Sequence, residues 1–262
     1  MGGMVLKVIL SRKGFDSKAG GHPNAHFVDN GRLLVLPIPE DNKSNNINTG
    51  RTYTDLRFND QLSYLDIMNQ LGLNGFDNKY VHLDPDVNHH IVNRHPNWKG
   101  LFGQSHQSQV HLQNKGIEKG DLFLFFGWFC DVVNTDKGYK YVRGTDRHII
   151  WGYLPVDEIE RIDQSRYYQK WKFDHPHYFY GVFSFNEKLV LTAPNNKRSI
   201  WKLPQFFHPQ LGTLMSYHKD KTKWEMHNDH CILQSAGRGQ EFVIEGNEQV
   251  EQWAKDIIGY SK

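Results

Sequence analysis

The chain has 262 residues, of which 23% are charged and 13% are aromatic, and its formal net charge is +2 at pH 7. Such a small net charge provides no overall field that would draw the protein onto DNA or a membrane, so any affinity for anions must come from local groups of cations. The two cysteines, Cys130 and Cys231, form no CxxC pair, which excludes a disulfide framework and a thiolate zinc knuckle and is typical of a reducing cytoplasm.

The start of the chain predicts neither a signal peptide nor a membrane anchor. Residues 1–10, MGGMVLKVIL, lack the long apolar region and the cleavage site of a signal peptide, and no later apolar run reaches membrane length. We therefore expect a cytoplasmic protein without a membrane partner. Residues 6–10 predict a buried first strand, because this short apolar run ends in a polar loop.

Two further elements are predicted in the next part of the chain. The segment 31–39, GRLLVLPIP, predicts a second strand, bounded by Gly31 and by prolines that cannot continue a hydrogen-bonded ladder. The polar, Asn-rich residues 40–54 predict a loop. Residues 60–75 predict the first helix, because their apolar positions follow helical spacing and their glycines can end a helix. Residues 79–115 show no regular pattern and are rich in His and Asn.

The centre of the chain has the clearest strand pattern. Residues 119–133, KGDLFLFFGWFCDVV, form a continuous apolar run after a Lys-Gly-Asp turn, which predicts a strand. Residues 139–162 supply one or two partner strands. Residues 247–261 predict a closing helix with an apolar stripe and Asn247 as its cap. Further strands are predicted within residues 177–185, 187–192, 214–218 and 231–236.

The predicted fold class is α+β: a bent, mostly antiparallel sheet or a partly closed barrel with a few peripheral helices. Strand-like segments outnumber helical ones, and aromatic side chains fit the pleated, half-buried surface of a sheet. No repeat or linker interrupts the pattern. We therefore predict a single domain over residues 1–262, with a split near residue 115 as the alternative.

The loop after the first strand, SRKGFDSKAGG, combines cations with glycines. Backbone amides beside the glycines can approach an oxyanion closely, because no Cβ intervenes. Arg12 offers a planar fork and Lys13 a point charge, and both suit a phosphate. Asp16 can act as a general base, as a metal ligand or as the partner that orients Arg12; the alternative for the whole loop is a turn with a surface salt bridge. The other residues assigned to ligand binding here are Ser11, Gly14, Phe15, Gly20 and Gly21.

A second group of candidates lies in residues 102–129, FGQSHQSQVHLQNKGIEKGDLFLFFGWF. The amides of Gln104 and Gln109 can pair with the edge of a base, and the ring of Trp128 can stack on one. His111 is a candidate for proton transfer. The alternative assigns the aromatic side chains to the core, which we prefer for the phenylalanines, and the polar ones to a loop.

The third group lies in residues 235–244, SAGRGQEFVI. Two glycines flank Arg238, as glycines accompany the cations of the opening loop, and Gln240 and Glu241 then enter a strand-like run. We expect the Glu241 carboxylate to pair with Arg12 or Arg238, either as a charge-balancing group or as an acid–base group. A turn with a satisfied ion pair is the alternative.

Histidine is abundant, with 15 residues in the chain. His175 with His177, or His227 with Asp229 and His230, can hold a metal ion, but neither group has the spacing of a helical HExxH site. We therefore assign no metal ligand. The residues identify no cofactor and no oligomeric state.

Five stretches spread over nearly the whole chain resemble the nucleotide modification associated domain family, type three, a group proposed to act in DNA base hypermodification. The stretches are KVILSRKGFDSKAGGHPN, FGQSHQSQVHLQNKGIEKGDLFLFFGWF, HIIWGYLPVDEI, RSIWKLPQFF and GRGQEFVI. The resemblance implies a nucleotide or nucleic acid partner and a phage or anti-phage setting. The chain departs from the family where it carries SHQS in place of small residues and Pro-Asn in place of a Ser-Pro-like pair. The matching positions are Ser11, Arg12, Lys13, Gly14, Phe15, Asp16, Gly20, Gly21, Pro23, Gly103, Gln104, Gln109, His111, Gly120, Asp121, Gly127, Trp128, Arg198, Trp201, Pro204, Gly239, Gln240, Glu241 and Phe242.

The stretches KGDLFLFF and IIWGYLPVDEI are also similar in their spacing to PUA-like domains, which include base-flipping readers of modified nucleic acid. This likeness implies that the predicted barrel is PUA-like. In such a barrel the aromatic side chains would stack on a flipped base.

Together, the residues and the resemblance predict an enzyme that modifies, or removes a modification from, a nucleotide or DNA base. Arg12, Lys13 and Arg238 would hold phosphate, and Gln104 and Gln109 would read the base. The alternative is a non-catalytic module that recognises a modified base or a nucleotide signal; a third hypothesis is a metal-dependent hydrolase. The residues predicted to move protons are Asp16, His111 and Glu241.

Overall fold

The computed structural model of the chain describes residues 6–16, 19–40, 50–104, 106–160, 175–177, 182–185, 200–201, 224–227, 230–233, 241–244 and 248–258. The helices within these ranges are α1 (Tyr64–Gln70), α2 (His106–Asn114) and α3 (Glu248–Ile257). The strands are β1 (Val8–Arg12), β2 (Asn24–Phe27), β3 (Leu33–Leu34), β4 (Ile38–Glu40), β5 (Tyr80–His82), β6 (Leu101–Gly103), β7 (Leu122–Thr135), β8 (Gly138–Tyr141), β9 (Arg147–Glu160), β10 (Val182–Phe185), β11 (Ile200–Trp201), β12 (Trp224–His227), β13 (His230–Leu233) and β14 (Glu241–Ile244).

One mixed sheet of ten strands organises the described residues, with the main order β14-β1-β7-β9-β10-β6. β1 and β2 run parallel to β7, and the other described pairings are antiparallel. The coarse prediction of a sheet-dominated fold with a few helices is therefore confirmed. The described strands do not close into a barrel, because β14 and β6 stand at opposite ends of the strand order, so the PUA-like barrel is not confirmed.

β7 is apolar at successive positions because both of its faces are buried. Phe123 and Phe125 pack with Ile9 of β1 in one hydrophobic cluster. Leu122 and Leu124 lie in a second cluster, which also contains side chains of α3. The core thus extends over both sides of the β1–β7 pair, and polar groups at the end of β1 lie at its border.

α1 begins at a capping box. The Ser63 hydroxyl accepts a hydrogen bond from Asp66 N, and the Asp66 carboxylate accepts one from Ser63 N. Ile67 and Met68 are fully buried in a third hydrophobic cluster. These contacts confirm the helix predicted within residues 60–75.

The prediction for residues 79–115 is wrong, because β5, β6 and α2 lie there. β5 and β6 have three residues each, which is too short to show an alternating pattern. α2, HQSQVHLQN, has only two apolar residues and so shows no apolar stripe. The strands predicted within 187–192 and 214–218 lie outside the described residues.

The remaining predicted elements are found with shifted bounds. The predicted second strand divides into β3 and β4, which pair with β2 and β5. The closing helix is confirmed as α3. Among the described residues, none of the helices combines the length and the apolar character needed to cross a bilayer.

Candidate functional site

Polar side chains from the two ends and the middle of the chain meet beside the sheet. Side chains alternate along a strand, so Ser11 lies on the same face as the core residue Ile9, and Lys13 follows on that face just beyond β1. Glu241 is the register partner of Ser11 on β14. We call the group that these residues form the buried charged cluster; its members are Ser11, Lys13, Glu40, His82, Asp84, Gln104, His175, His177 and Glu241.

Glu241 is the centre of one half of this cluster. Its Oε1 accepts hydrogen bonds from Ser11 Oγ at 3.2 Å and from Gln104 Nε2, and it lies 3.4 Å from Lys13 Nζ. The Glu241 side chain is 1% exposed. A carboxylate buried so completely requires such donors, because an unpaired buried charge is costly.

Lys13 joins the two halves of the cluster. Its Nζ lies 3.7 Å from Asp84 Oδ2, in addition to its contact with Glu241, and 4.5 Å from the centre of the Phe102 ring. The Lys13 side chain is 7% exposed. The two carboxylates and the aromatic face together compensate the positive charge of the buried ammonium.

Asp84 is held by groups on both of its oxygens. Gly103 N donates to Asp84 Oδ1 at 2.8 Å, and His175 Nε2 lies 3.4 Å from the same oxygen. Burial by itself raises the pKa of the Asp84 carboxyl, but its interactions with His177, Lys13 and His175 outweigh this effect and hold the pKa well below its usual range. Asp84 is therefore a carboxylate at neutral pH.

Two imidazoles complete the other half of the cluster. His82 Nε2 and His177 Nε2 are 2.9 Å apart, and His177 Nε2 lies 3.7 Å from Asp84 Oδ2. On its other side, His82 Nδ1 contacts Glu40 Oε1. Burial lowers the pKa of His177 to about 3, against the opposing effect of Asp84, so the His177 ring is neutral near pH 7.

Gly103 allows this arrangement by having no side chain. A Cβ at this position would lie 2.1 Å from His177 Cβ and 3.1 Å from His175 Cε1. No other residue fits unless the histidine segment moves away. The match of Gly103 to the family pattern thus has a physical reason, which is the close approach of residues 175–177 to β6.

A cavity of about 520 Å³ adjoins the cluster, and Asp84 belongs to both. Arg32 and Arg57 supply cations to the cavity lining, and Trp151 supplies an indole. Trp151 Nε1 is buried and has no hydrogen-bond partner among the described residues. Burial lowers the pKa of the Arg32 guanidinium, which also lies over the Phe58 ring.

The structure brings together four of the residues assigned to the site from sequence, namely Ser11, Lys13, Gln104 and Glu241. The ion pair of Glu241 is formed with Lys13 rather than with Arg12. Arg12 instead pairs with Asp16, whose Oδ1 also accepts from Ala19 N at 2.7 Å. This corresponds to the interpretation in which Asp16 orients Arg12; the phosphate-binding role of Arg12 and the catalytic role of Asp16 stay predictions.

Other predicted residues make contacts typical of a folded core. Phe15 is fully buried against Tyr53, with 6.2 Å between ring centres. Trp128 is buried as well, and its Nε1 donates to Asp146 Oδ1 at 2.7 Å. The loop glycines Gly14, Gly20 and Gly21 have φ values of 93°, 84° and 75°.

The last predicted residues lie apart from these contacts or outside the described ranges. His111 is an exposed residue of α2, and Gln109 is a half-buried residue of the same helix. Arg238 and Gln240 lie outside the described residues. The proposed roles of all four stay predictions.

Sequence reasoning missed three members of the cluster, His82, Asp84 and Glu40. A signal was present: His82 and Asp84 are separated by one residue, as are His175 and His177, and such pairs point to the same side of an extended chain. These two pairs, one in the irregular residues 79–115 and one at the start of the strand predicted within 177–185, were the available indication.

The family described as "Nucleotide modification associated domain 3" has a model that matches residues 7–245. This range includes every member of the buried charged cluster. Neither a curated protein nor a solved structure gives a significant match to the chain.

Proposed function

The chain belongs to the nucleotide modification associated domain 3 family, and from this we propose that it is an enzyme that modifies a nucleotide or DNA base bound beside the buried charged cluster. Family membership supports the general role in nucleotide modification. The geometry of the cluster and its cavity supports the choice of site.

The observation that carries the proposal is the position of Lys13. Its ammonium lies between the carboxylates of Asp84 and Glu241, with all three side chains at most 7% exposed. Burying such a group of charges is weak evidence for a stabilising role, because desolvation offsets much of the attraction. Of the three residues, Asp84 lines the adjoining cavity, and a group of buried charges that reaches a cavity is more typical of a reaction site.

The adjoining cavity suits a nucleotide in size and lining. Its volume of about 520 Å³ lies within the range of small-ligand sites. Arg57 is exposed at the cavity and makes no ion pair with a described residue, so it can contact a phosphate. Trp151 Nε1 can donate to a base or sugar oxygen, which would supply the partner that this buried donor requires.

We assign different roles to the charged groups. Lys13 would stabilise negative charge that develops on the base, as a fixed cation in a site shielded from water. Glu241 would transfer a proton, as predicted from the sequence. The lowered pKa of Asp84 makes it a poor proton acceptor at neutral pH, so its role would be to position Lys13.

The proposal is tested by expressing the protein in a bacterial host and measuring the masses of nucleosides from the host DNA and nucleotide pool. We expect a nucleoside of altered mass with the wild-type chain and none with Glu241→Gln or Lys13→Met. Arg143→Glu, a charge reversal at an exposed residue outside the cavity lining, is the control and should leave the product unchanged.

Calorimetry with purified protein and nucleoside monophosphates tests the binding step separately. Arg57→Glu should weaken binding by about 10-fold or more, which corresponds to about 1.4 kcal/mol, whereas Glu241→Gln should retain affinity. If the protein binds nucleotides but produces no altered nucleoside, the enzyme hypothesis is wrong. The alternative, a module that recognises a base or nucleotide, would then take its place. Absence of nucleotide binding to the folded wild-type chain would refute the proposed cavity.

A further inference from the structure

We propose that His82, Asp84 and His177 form a mononuclear site for a divalent transition-metal ion. One ligand atom from each residue can be chosen so that all three lie within 4.8 Å of one another. The set consists of two imidazole nitrogens and one carboxylate oxygen. This inference rests on the geometry of these side chains and does not depend on the proposed nucleotide reaction.

The ligand atoms are arranged as they would be around a single ion. His82 Nε2 and His177 Nε2 are 2.9 Å apart, and Asp84 Oδ2 lies 3.7 Å from His177 Nε2. Metal–ligand bonds of about 2.0–2.2 Å place neighbouring ligand atoms at such separations. The His82 and Asp84 ligand atoms are at most 4.8 Å apart, so a modest movement of these side chains would bring all three atoms into contact with one ion.

Outer contacts hold two of the three ligands in the orientation that coordination requires. Glu40 contacts His82 Nδ1, which directs His82 Nε2 toward the centre of the site. Gly103 N donates to Asp84 Oδ1, so Asp84 Oδ2 is the oxygen that faces His177. A carboxylate behind a histidine ligand and a hydrogen bond to a ligating carboxylate are features of protein metal sites.

The balance of charge also favours a divalent cation. The cluster contains three carboxylates, of Glu40, Asp84 and Glu241, and one ammonium, of Lys13. Histidine binds metals as the neutral imidazole, so the carboxylates exceed the ammonium by two negative charges. A divalent ion would neutralise this excess. Lys13 contacts Glu241 as well as Asp84, so its own charge is shared with a carboxylate outside the ligand set.

The donor set defines the class of ion. Imidazole nitrogens with one carboxylate suit zinc, iron and their first-row neighbours, whereas calcium and magnesium prefer oxygen ligands. Three protein ligands leave coordination positions for water or a substrate atom. Since Asp84 also lines the adjoining cavity, a ligand in that cavity would be next to the ion.

The test measures metal binding directly on the full chain. Purified protein is stripped with a chelator and titrated with Co²⁺, whose visible absorption reports nitrogen and oxygen coordination. A second stripped sample is loaded with Zn²⁺, and the bound Zn²⁺ is counted by elemental analysis. We expect about one ion per chain, as the three-ligand set implies. His82→Asn and His177→Asn should each weaken binding by at least about 100-fold, and Glu40→Gln by about 10- to 100-fold. His22→Asn, at an exposed histidine outside the cluster, is the matched control and should bind as the wild type does.

Circular dichroism confirms that each variant is folded before its affinity is compared. If the folded wild-type chain binds no stoichiometric Co²⁺ or Zn²⁺, the inference is wrong, whatever the variants do. It is equally wrong if His82→Asn and His177→Asn bind metal as tightly as His22→Asn does. A chain that binds nucleotides but no metal would overturn this inference and leave the proposed function intact.

Discussion

Ser11 and Glu241 lie opposite each other on neighbouring antiparallel strands, although they are 230 positions apart in the chain, and the Ser11 hydroxyl donates to Glu241 Oε1 at 3.2 Å. The pairing of β1 with β14 therefore brings the two ends of the described chain to one site. Gln104 and Lys13 contact the same Glu241 oxygen. The half of the cluster around Glu241 therefore depends on the pairing of β14 with β1.

The first prediction concerns the Lys13–Glu241 pair. Lys13→Met should lower the free energy of unfolding by about 3 kcal/mol, because it leaves the buried Glu241 carboxylate without its cation. Glu241→Gln should cost less, because Lys13 keeps its contact with Asp84. The double variant should lose clearly less than the sum of the single losses, since it removes both charges. Urea denaturation measures the three values.

A partly exposed ion pair at the end of β1 serves as the control. Arg12→Ala removes the Arg12–Asp16 pair, in which the Arg12 side chain is 33% exposed, and should cost less than about 1 kcal/mol. Additive losses in the Lys13–Glu241 cycle would show that the two charges do not interact as described.

The second prediction concerns Gly103. Gly103→Ala would place a methyl group 2.1 Å from His177 Cβ, so residues 175–177 must move away from Asp84. We expect a loss of about 1–3 kcal/mol in the free energy of unfolding, as for other overpacked sites. Gly152→Ala on β9 is the matched control, because its Cβ would meet its nearest neighbours at ordinary contact distances of 3.8 and 3.9 Å. Equal stability of the two variants would contradict the close packing of the histidine segment.

The third prediction separates two buried tryptophans. Trp151 Nε1 has no partner among the described residues, whereas Trp128 Nε1 donates to Asp146 Oδ1. Trp151→Phe should therefore keep or slightly raise the stability of the ligand-free protein and weaken nucleotide binding. Trp128→Phe should lower stability by about 1–3 kcal/mol, because Asp146 loses its buried donor. Thermal unfolding with and without nucleoside monophosphate measures both effects; the same stability change in both variants would refute the contrast.

Sequence patterns predicted the elements whose signal is local. β7 is a long apolar run, and the apolar positions of α1 follow helical spacing, so both could be recognised without their neighbours. β5 and β6, with three residues each, have no such signal, because only their partners β4 and β10 make them strands. His82 is the last residue of β5 and Asp84 follows it closely, so neither was assigned to the site from the sequence pattern.

The residues of the site were predictable only in part. The family resemblance pointed to Ser11, Lys13, Gln104 and Glu241, which the structure brings together. It did not distinguish Lys13 from Arg12, because the choice depends on strand alternation. Arg12 and Lys13 are adjacent, so they point to opposite sides, and only the side shared with Ser11 faces Glu241.

The last prediction concerns Asn24, which anchors the loop that contains Lys13. Its fully buried amide donates to Trp128 O at 2.8 Å and to Phe15 O at 3.3 Å, while its Oδ1 accepts from Leu36 N at 2.8 Å. Asn24→Asp keeps the shape and the acceptor but turns an oxygen toward two carbonyl groups. We expect a loss of more than about 2 kcal/mol in the free energy of unfolding at neutral pH, because both donated bonds are lost.

The same variant should show a distinctive pH dependence. Burial and the two carbonyl oxygens raise the pKa of the new carboxyl in the folded state above its unfolded value. The folded state then binds the proton more tightly, so the deficit relative to wild type should shrink as the pH falls through the folded-state pKa, where the protonated acid can donate again. Asn30→Asp is the control, because Asn30 is exposed and its Oδ1 only accepts a bond from Arg32 N. A deficit that grows on acidification, or that is equal in both variants, would show that Asn24 does not hold the loop by donating these two bonds.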